Sequence, residues 1–107
     1  MACSIEWHPN TEAELAIFPQ NLRLTIVNKV EHIASNVPMS LRLKSVQAVK
    51  GQQHLGLQGR LYELDIGRGI RAAFVVYNDH EQLIVYLVGN HDYALENYLK
   101  SAEERLT

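Results

Sequence analysis

The chain has 107 residues, of which 47% are hydrophobic and 21% charged, a composition typical of one soluble globular domain. Its single cysteine, Cys3, excludes an internal disulfide, and no apolar run approaches the ~20 residues needed to span a bilayer. The opening residues MACSIEWHPN lack the charged start and long apolar stretch of a secretion signal. We therefore expect one domain over residues 1–107, located in the cytoplasm, where thiols stay reduced.

Charge is distributed unevenly along the chain, whose formal net charge is −2. Residues 40–71 include six basic and two acidic side chains, a net charge of +4, and the rest of the chain carries −6. A basic segment inside an acidic chain is typical of an anion-binding face, for which RNA is one ligand. Charge alone indicates a solvated loop and sheet edge equally well.

The first third of the chain predicts a strand and two helices. Residues 3–8 alternate between apolar and polar side chains, which predicts a short strand. A helix follows, in which Thr11 and Glu14 have the spacing of a capping box. Pro19 separates it from a second helix over residues 21–36. The predicted buried stripe of that second helix consists of Leu24, Val27, Val30 and Ile33, with Ile26 and Ala34 alongside.

The remaining two-thirds predict a strand meander and a last helix. Residues 39–59 are the hardest to assign and indicate a basic helical turn followed by a glycine-rich loop. Three strands follow, separated by turns at Gly67–Gly69 and at residues 78–81. The strands are expected at residues 61–66, 71–77 and 83–89, and the stripe of the last helix at Leu95, Tyr98 or Leu99, Ala102 and Leu106. This order predicts an α+β domain, a small antiparallel sheet with two N-terminal helices and a C-terminal helix.

Three stretches of the sequence are similar to a known family. They are IEWHPNTEAEL, GRLYELDIGRGIRAAFVV and LIVYLVGNHDYAL. In this order, and over most of the chain, they resemble the RelE/ParE superfamily of bacterial toxins from type II toxin–antitoxin systems. The likeness rests on the order of the elements and on two local phrases, YELDIG with IRAAF and VGNHDY, and it favours the RelE-like branch.

The resemblance implies an activity and partners. RelE-like toxins are endoribonucleases that cleave mRNA, usually on the ribosome, with no metal and no cofactor. The ribose 2′-OH attacks the adjacent phosphate, so the reaction needs a base, an acid for the leaving 5′-oxygen and cations around the phosphate. A cognate antitoxin protein is the implied partner, and a homodimer or a toxin–antitoxin hetero-oligomer is left open. A ParE-like toxin that inhibits DNA gyrase without catalysis and a silent member that only binds a partner stay as alternatives.

Three residues carry the catalytic expectation. RNA-cleaving members often have an arginine at the place of Arg71, holding the scissile phosphate, and a guanidinium suits this role because it offers two parallel hydrogen bonds. At the place of His91, several relatives have a His or Arg that acts as general acid. Tyr93 falls on the polar side of the last helix, free to stack on a base or assist a proton transfer.

Each of these residues also has a purely structural interpretation. Arg71 could pair with Glu63 or Asp65 at a strand edge, and His91 could be an inert helix-cap residue. Asp92 is read first as a structural residue of the first helical turn, where a carboxylate is favoured, and second as a group that orients His91. The antiparallel meander nevertheless predicts that Arg71 and His91 face one concave, basic surface.

Five further side chains are predicted to bind RNA, although each alone is more typical of a solvated surface residue. They are Lys44, Lys50, His54, Arg60 and Arg68. Two features depart from the family pattern: a calculated pI of 6.2, and Asp65, where relatives often have an arginine. Both argue against docking on ribosomal RNA, because a polyanion is repelled by added acidic groups.

Overall fold

The computed structural model describes residues 3–77 and 80–107, which form three α-helices and a five-stranded sheet. The helices are α1 (Pro9–Ala16), α2 (Gln20–Ala34) and α3 (His91–Leu106). The strands are β1 (Ser4–Trp7), β2 (Val46–Ala48), β3 (Arg60–Gly67), β4 (Ile70–Tyr77) and β5 (Gln82–Asn90). Short 3₁₀ turns at Met39–Arg42 and Gln52–His54 flank β2. None of the helices in these two ranges has the length and apolar character needed to cross a membrane.

The strand order in the sheet is β1-β5-β4-β3-β2. Strands β2 to β5 pair in antiparallel fashion, whereas β1 pairs parallel to β5. The α+β class is therefore confirmed, and two details of the prediction are wrong. The sheet is mixed, because alternation in a strand does not show which neighbour it pairs with. No strand was predicted at β2, because three residues are too few to display a period of two.

Two hydrophobic cores lie on opposite faces of the sheet. On one face, Ile26, Val30 and Ile33 of α2 pack with sheet residues such as Phe74 and Val85. On the other face, α3 covers a second cluster of sheet side chains. This second cluster contains Leu61, Ala73, Val75, Tyr86 and Leu87 with Ala94, Tyr98 and Ala102 of α3. Because successive residues of β4 alternate between the two clusters, this strand is apolar on both faces.

The buried faces of α2 and α3 are rotated slightly from the predicted apolar stripes. Leu24 of α2 and Leu95 of α3 are 54% and 65% exposed, whereas Ile26 and Ala94 are fully buried. Both helices carry more apolar residues than one stripe can hold, so the sequence did not determine which face packs. In α3 the small Ala94 and Ala102 let the helix lie close against the sheet.

The start of α1 also differs from the prediction. The helix begins at Pro9, and His8 is its N-cap, accepting a hydrogen bond from the Asn10 N–H through Nδ1. The capping box of Thr11 and Glu14 is therefore wrong, since proline at the first helical position starts the helix earlier. Pro19 does separate the two helices, as the N-cap residue of α2.

The turn between β3 and β4 closes one end of the β3–β4 hairpin. Gly67, Arg68 and Gly69 all have positive φ, a conformation in which glycine carries no steric penalty. The predicted tight turn is confirmed. The other predicted turn, at residues 78–81, includes Asn78 and Asp79, which lie outside the described residues.

Candidate active site

A cavity of about 260 Å³ opens where β2 and β3 meet the first turns of α3. Its lining is mainly polar, with two basic side chains, two carboxylates, an imidazole and a phenol among the lining groups. The lining residues are Lys44, Ser45, Gln47, Glu63, Asp65, Arg71, His91, Leu95 and Tyr98. Arg71 and His91 thus line the same cavity, the juxtaposition that an antiparallel meander predicts.

Strand register explains how distant residues converge on this cavity. Gln47 lies opposite Glu63, and Asp65 lies opposite Arg71. Arg71 in turn lies opposite Gly89 of β5. Their immediate neighbours in β3 and β4 point into the core under α2, so these polar side chains project toward α3. One short stretch of the α3-side face is therefore polar, and it lies at the end of the sheet.

The Arg71 guanidinium is held by a carboxylate. Arg71 Nη1 donates to Asp65 Oδ1 at 2.7 Å, and the same oxygen accepts the Gly67 N–H at 2.9 Å. The side chains are 21% and 50% exposed for Arg71 and Asp65, so the pair is open to solvent. Of the two structural partners considered for Arg71, Asp65 is the one that forms the ion pair.

His91 is the first residue of α3 and is positioned by its backbone. Its N–H donates to the Gly69 carbonyl at 2.7 Å, which ties the helix start to the β3–β4 turn. Asn90 supplies the helix cap, accepting the Tyr93 N–H at 2.9 Å, so the imidazole of His91 has no capping role. The imidazole is half exposed, and its Nδ1 lies 3.4 Å from Asp92 Oδ1, a contact at the outer limit of hydrogen bonding.

Sequence reasoning missed two groups of the cavity, Glu63 and Tyr98. Tyr98 was predicted as a core residue, and it is buried, yet it also lines the cavity. Burial and the neighbouring Glu63 carboxylate raise the pKa of the Tyr98 hydroxyl, which therefore stays a neutral donor. Glu63 could have been found from the alternation of β3, which puts it on the same face as Asp65.

Tyr93 lies outside the cavity lining. Its hydroxyl donates to Glu14 Oε2 at 2.5 Å. Glu14 is buried, and its Oε1 accepts the Val88 N–H at 3.1 Å and Arg105 Nη1 at 3.0 Å. The hydrogen bond to Glu14 is the main cause of a raised Tyr93 pKa. The expectation of a free Tyr93 hydroxyl is corrected, since the hydroxyl is committed to what we call the Glu14 cluster (Glu14, Tyr93 and Arg105). Its catalytic role stays a prediction.

The side chains predicted to bind RNA are not gathered in one cavity. Lys44 lines the cavity, and Lys50 lines a neighbouring groove of about 280 Å³ between β2 and α3. Arg60 and Arg68 lie at opposite ends of β3, about 25 Å apart for an eight-residue strand. His54 belongs to the 3₁₀ turn after β2. The cavity itself is not basic, because Glu63 and Asp65 balance Lys44 and Arg71. Individual RNA contacts by these five residues stay predictions.

Within residues 3–77 and 80–107, no three His, Cys, Asp or Glu side chains converge in a group that could hold a metal ion. Metal-free catalysis stays a prediction of the family resemblance.

Comparisons with known proteins identify the fold. The chain superposes on the archaeal RelE from the RelE–RelB complex of Pyrococcus horikoshii with a TM-score of 0.66 and 13% identity, covering 85% of this chain and 97% of that chain. A double mutant of the E. coli toxin RelE in the free state gives 0.67 and 16%, covering 97% of this chain and 98% of that chain. No protein-family model and no curated protein matches. The chain therefore has the RelE fold over nearly its full length.

Proposed function

We propose that this protein is a RelE-like toxin that cleaves mRNA as a metal-independent endoribonuclease. The observation that carries the proposal is the joint presence of Arg71, His91 and Glu63 in one cavity. A cation, an imidazole that can act as general acid and a carboxylate that can act as general base suit phosphodiester cleavage by a 2′-OH. The fold shared with two RelE toxins supports the same conclusion.

The proposed reaction gives each group one task. Arg71 binds the scissile phosphate and stabilises the charge that builds on it. Glu63 takes the proton from the ribose 2′-OH as the oxygen attacks phosphorus, and protonated His91 gives its proton to the departing 5′-oxygen. The products are a 2′,3′-cyclic phosphate and a 5′-hydroxyl end. Tyr98, whose hydroxyl is kept neutral by burial, donates a hydrogen bond to the Glu63 carboxylate at the wall of the cavity.

The implied partner is a cognate antitoxin protein. The archaeal RelE was solved in complex with RelB, which supports a toxin–antitoxin pair here as well. Acting on mRNA, the protein would work in the cytoplasm.

The test is cleavage of a defined single-stranded RNA in the presence of EDTA, together with growth after expression without antitoxin. We expect Arg71→Ala and His91→Ala each to lower the cleavage rate by about 10²-fold or more. Arg23→Ala is the matched control for Arg71→Ala, because this exposed arginine lies on α2 and outside the cavity lining. An RNA with a 2′-deoxyribose before the scissile phosphate should stay intact. The proposal is wrong if both site variants still cut at the wild-type rate.

One observation favours a second candidate, a silent member that only binds its partner. The proposed phosphate ligand, Arg71, already forms an ion pair with Asp65, and the formal charges of Lys44, Arg71, Glu63 and Asp65 in the cavity sum to zero. For this candidate, expression is harmless and RNA stays intact with every variant. Intact transcripts with growth arrest and DNA-damage signalling would instead indicate the gyrase-directed branch.

A further inference from the structure

The backbone register places Asp65 and Arg71 side by side. The two residues are direct cross-strand partners in the β3–β4 ladder, so their side chains meet on the same face wherever the hairpin is formed. Asp65 is also fixed by the turn, since its Oδ1 accepts the Gly67 N–H at 2.9 Å. The backbone register and the turn therefore keep the carboxylate beside the guanidinium.

The charge of the cavity depends on this one carboxylate. Lys44 and Arg71 contribute two positive charges, and Glu63 and Asp65 two negative charges. A polyanion thus gains no net attraction from these four groups, although Arg71 by itself is a strong phosphate ligand. Without the charge of Asp65 the same four positions would carry one net positive charge.

The exposure of the pair makes the carboxylate replaceable. The Asp65 side chain is half exposed, and Arg71 contacts it through a single nitrogen, Nη1, at 2.7 Å. Solvent-exposed pairs contribute little free energy, so another anion can compete for the guanidinium. A phosphodiester entering the cavity would approach Arg71 beside Asp65 and meet its negative charge.

From this geometry we propose that Asp65 holds Arg71 in a low-affinity state and so sets how tightly the cavity binds an RNA phosphodiester. The inference rests on the proposed function for the identity of the ligand, and it adds a residue that restrains binding. The opposite role, in which Asp65 orients Arg71 for the phosphate, predicts a change of opposite sign.

The experiment compares wild type with Asp65→Asn. Asparagine retains an oxygen acceptor for the Gly67 N–H and has nearly the same shape, so the turn is preserved while the charge is lost. The probe is a short, fluorescein-labelled 2′-O-methyl RNA, which cannot be cleaved by 2′-OH attack. We expect the variant to bind roughly fivefold more tightly at low salt, with the difference vanishing near 1 M salt. Glu103→Gln, an equal change of charge at an exposed position of α3 outside the cavity lining, is the control.

The same comparison is repeated in an Arg71→Ala background, where the gain should shrink, because no guanidinium is released and only the direct repulsion by Asp65 is removed. Equal or weaker binding by Asp65→Asn, an undiminished gain without Arg71, or no binding by any of these proteins would each overturn the inference. Cleavage of natural RNA is scored separately. Tighter binding by Asp65→Asn with no cleavage by any variant would reject the proposed function alone, whereas wild-type cleavage with unchanged binding would reject this inference alone.

Discussion

The molecule contains two clusters of the same composition, an arginine, a carboxylate and a tyrosine, in opposite environments. The Glu14 cluster is closed: its Arg105 and Glu14 side chains are 14% and 9% exposed, and both carboxylate oxygens have donors. The cluster of Arg71, Asp65 and Tyr98 opens into the cavity, with exposures of 21% and 50% for its ion pair. Equal chemistry therefore does not imply equal function.

The cost of removing charged groups from water explains why the two clusters suit different roles. Breaking a buried pair leaves an uncompensated charge in a medium that cannot solvate it, and this costs several kcal/mol. Breaking an open pair costs little, since water or a ligand takes the place of the lost partner. The Glu14 cluster thus suits a role in holding α1, β5 and α3 together, and the cavity cluster suits the exchange of partners.

The largest effect is expected when the buried carboxylate of the Glu14 cluster is removed. Glu14→Ala leaves the Tyr93 hydroxyl without its acceptor and Arg105 without its carboxylate partner, although Arg105 keeps its hydrogen bond to the Tyr86 carbonyl. We expect the free energy of unfolding to fall by about 3 kcal/mol. The measurement is urea denaturation. Glu12→Ala, an exposed carboxylate in the first turn of the same helix, is the control and should cost below about 1 kcal/mol. Equal losses in the two variants would show that the cluster has no special structural weight.

A smaller loss of stability is expected for Tyr93→Phe, which tests whether Tyr93 has a structural or a catalytic role. Tyr93→Phe removes only the hydroxyl that donates to Glu14, and we expect a loss of about 1–3 kcal/mol in the free energy of unfolding. RNA cleavage per folded molecule should stay within a factor of about three, because this hydroxyl does not face the cavity. A tenfold loss of cleavage with unchanged stability would instead make Tyr93 a residue of the site, and the two clusters would no longer be separable.

The smallest expected effect concerns Tyr98, whose pKa is raised by burial and by Glu63 above the ordinary value of 10.0. Above that pH the unfolded chain loses the tyrosine proton while the folded protein keeps it, so stability falls as pH rises. Below pH 10.0 the tyrosine keeps its proton in both states, so the stabilisation from Tyr98 is fully present. Above that pH the free energy of unfolding falls by at most about 1.4 kcal/mol per pH unit. Urea unfolding between about pH 8 and pH 11 should therefore show a shallower decline for Tyr98→Phe than for wild type, with tyrosinate absorbance as the second readout. Identical slopes would contradict the burial of this hydroxyl in a low-dielectric site.

Local sequence patterns were sufficient to predict much of the fold and the proximity of two cavity residues. Alternation and turn residues predicted β3, β4 and β5, and the antiparallel order then predicted that Arg71 and His91 meet. The same pattern left the partner of Arg71 open between Glu63 and Asp65. Register decides this, because Asp65 is the residue directly across the ladder.

What the sequence could not supply was packing between distant segments. Glu14 fitted a capping box by its spacing, and only its burial against Val88, Tyr93 and Arg105 reveals a different role. Likewise Leu95 fitted a helix stripe, but it is exposed at the rim of the cavity. Each error has one origin: a local rule was satisfied by two structures, and contacts across the chain selected the other.

The parallel pairing of β1 with β5 has a consequence for the order in which the protein can assemble. Trp7 lies opposite Val85, so β1 has no partner in the sheet until β5 has also been translated. Such long-range pairing slows folding, because a large loop must close before the contact is gained. The cavity, whose wall includes α3, is for the same reason a late product of synthesis. Trp7 is the only tryptophan, and its fluorescence would report the docking of β1 as it occurs.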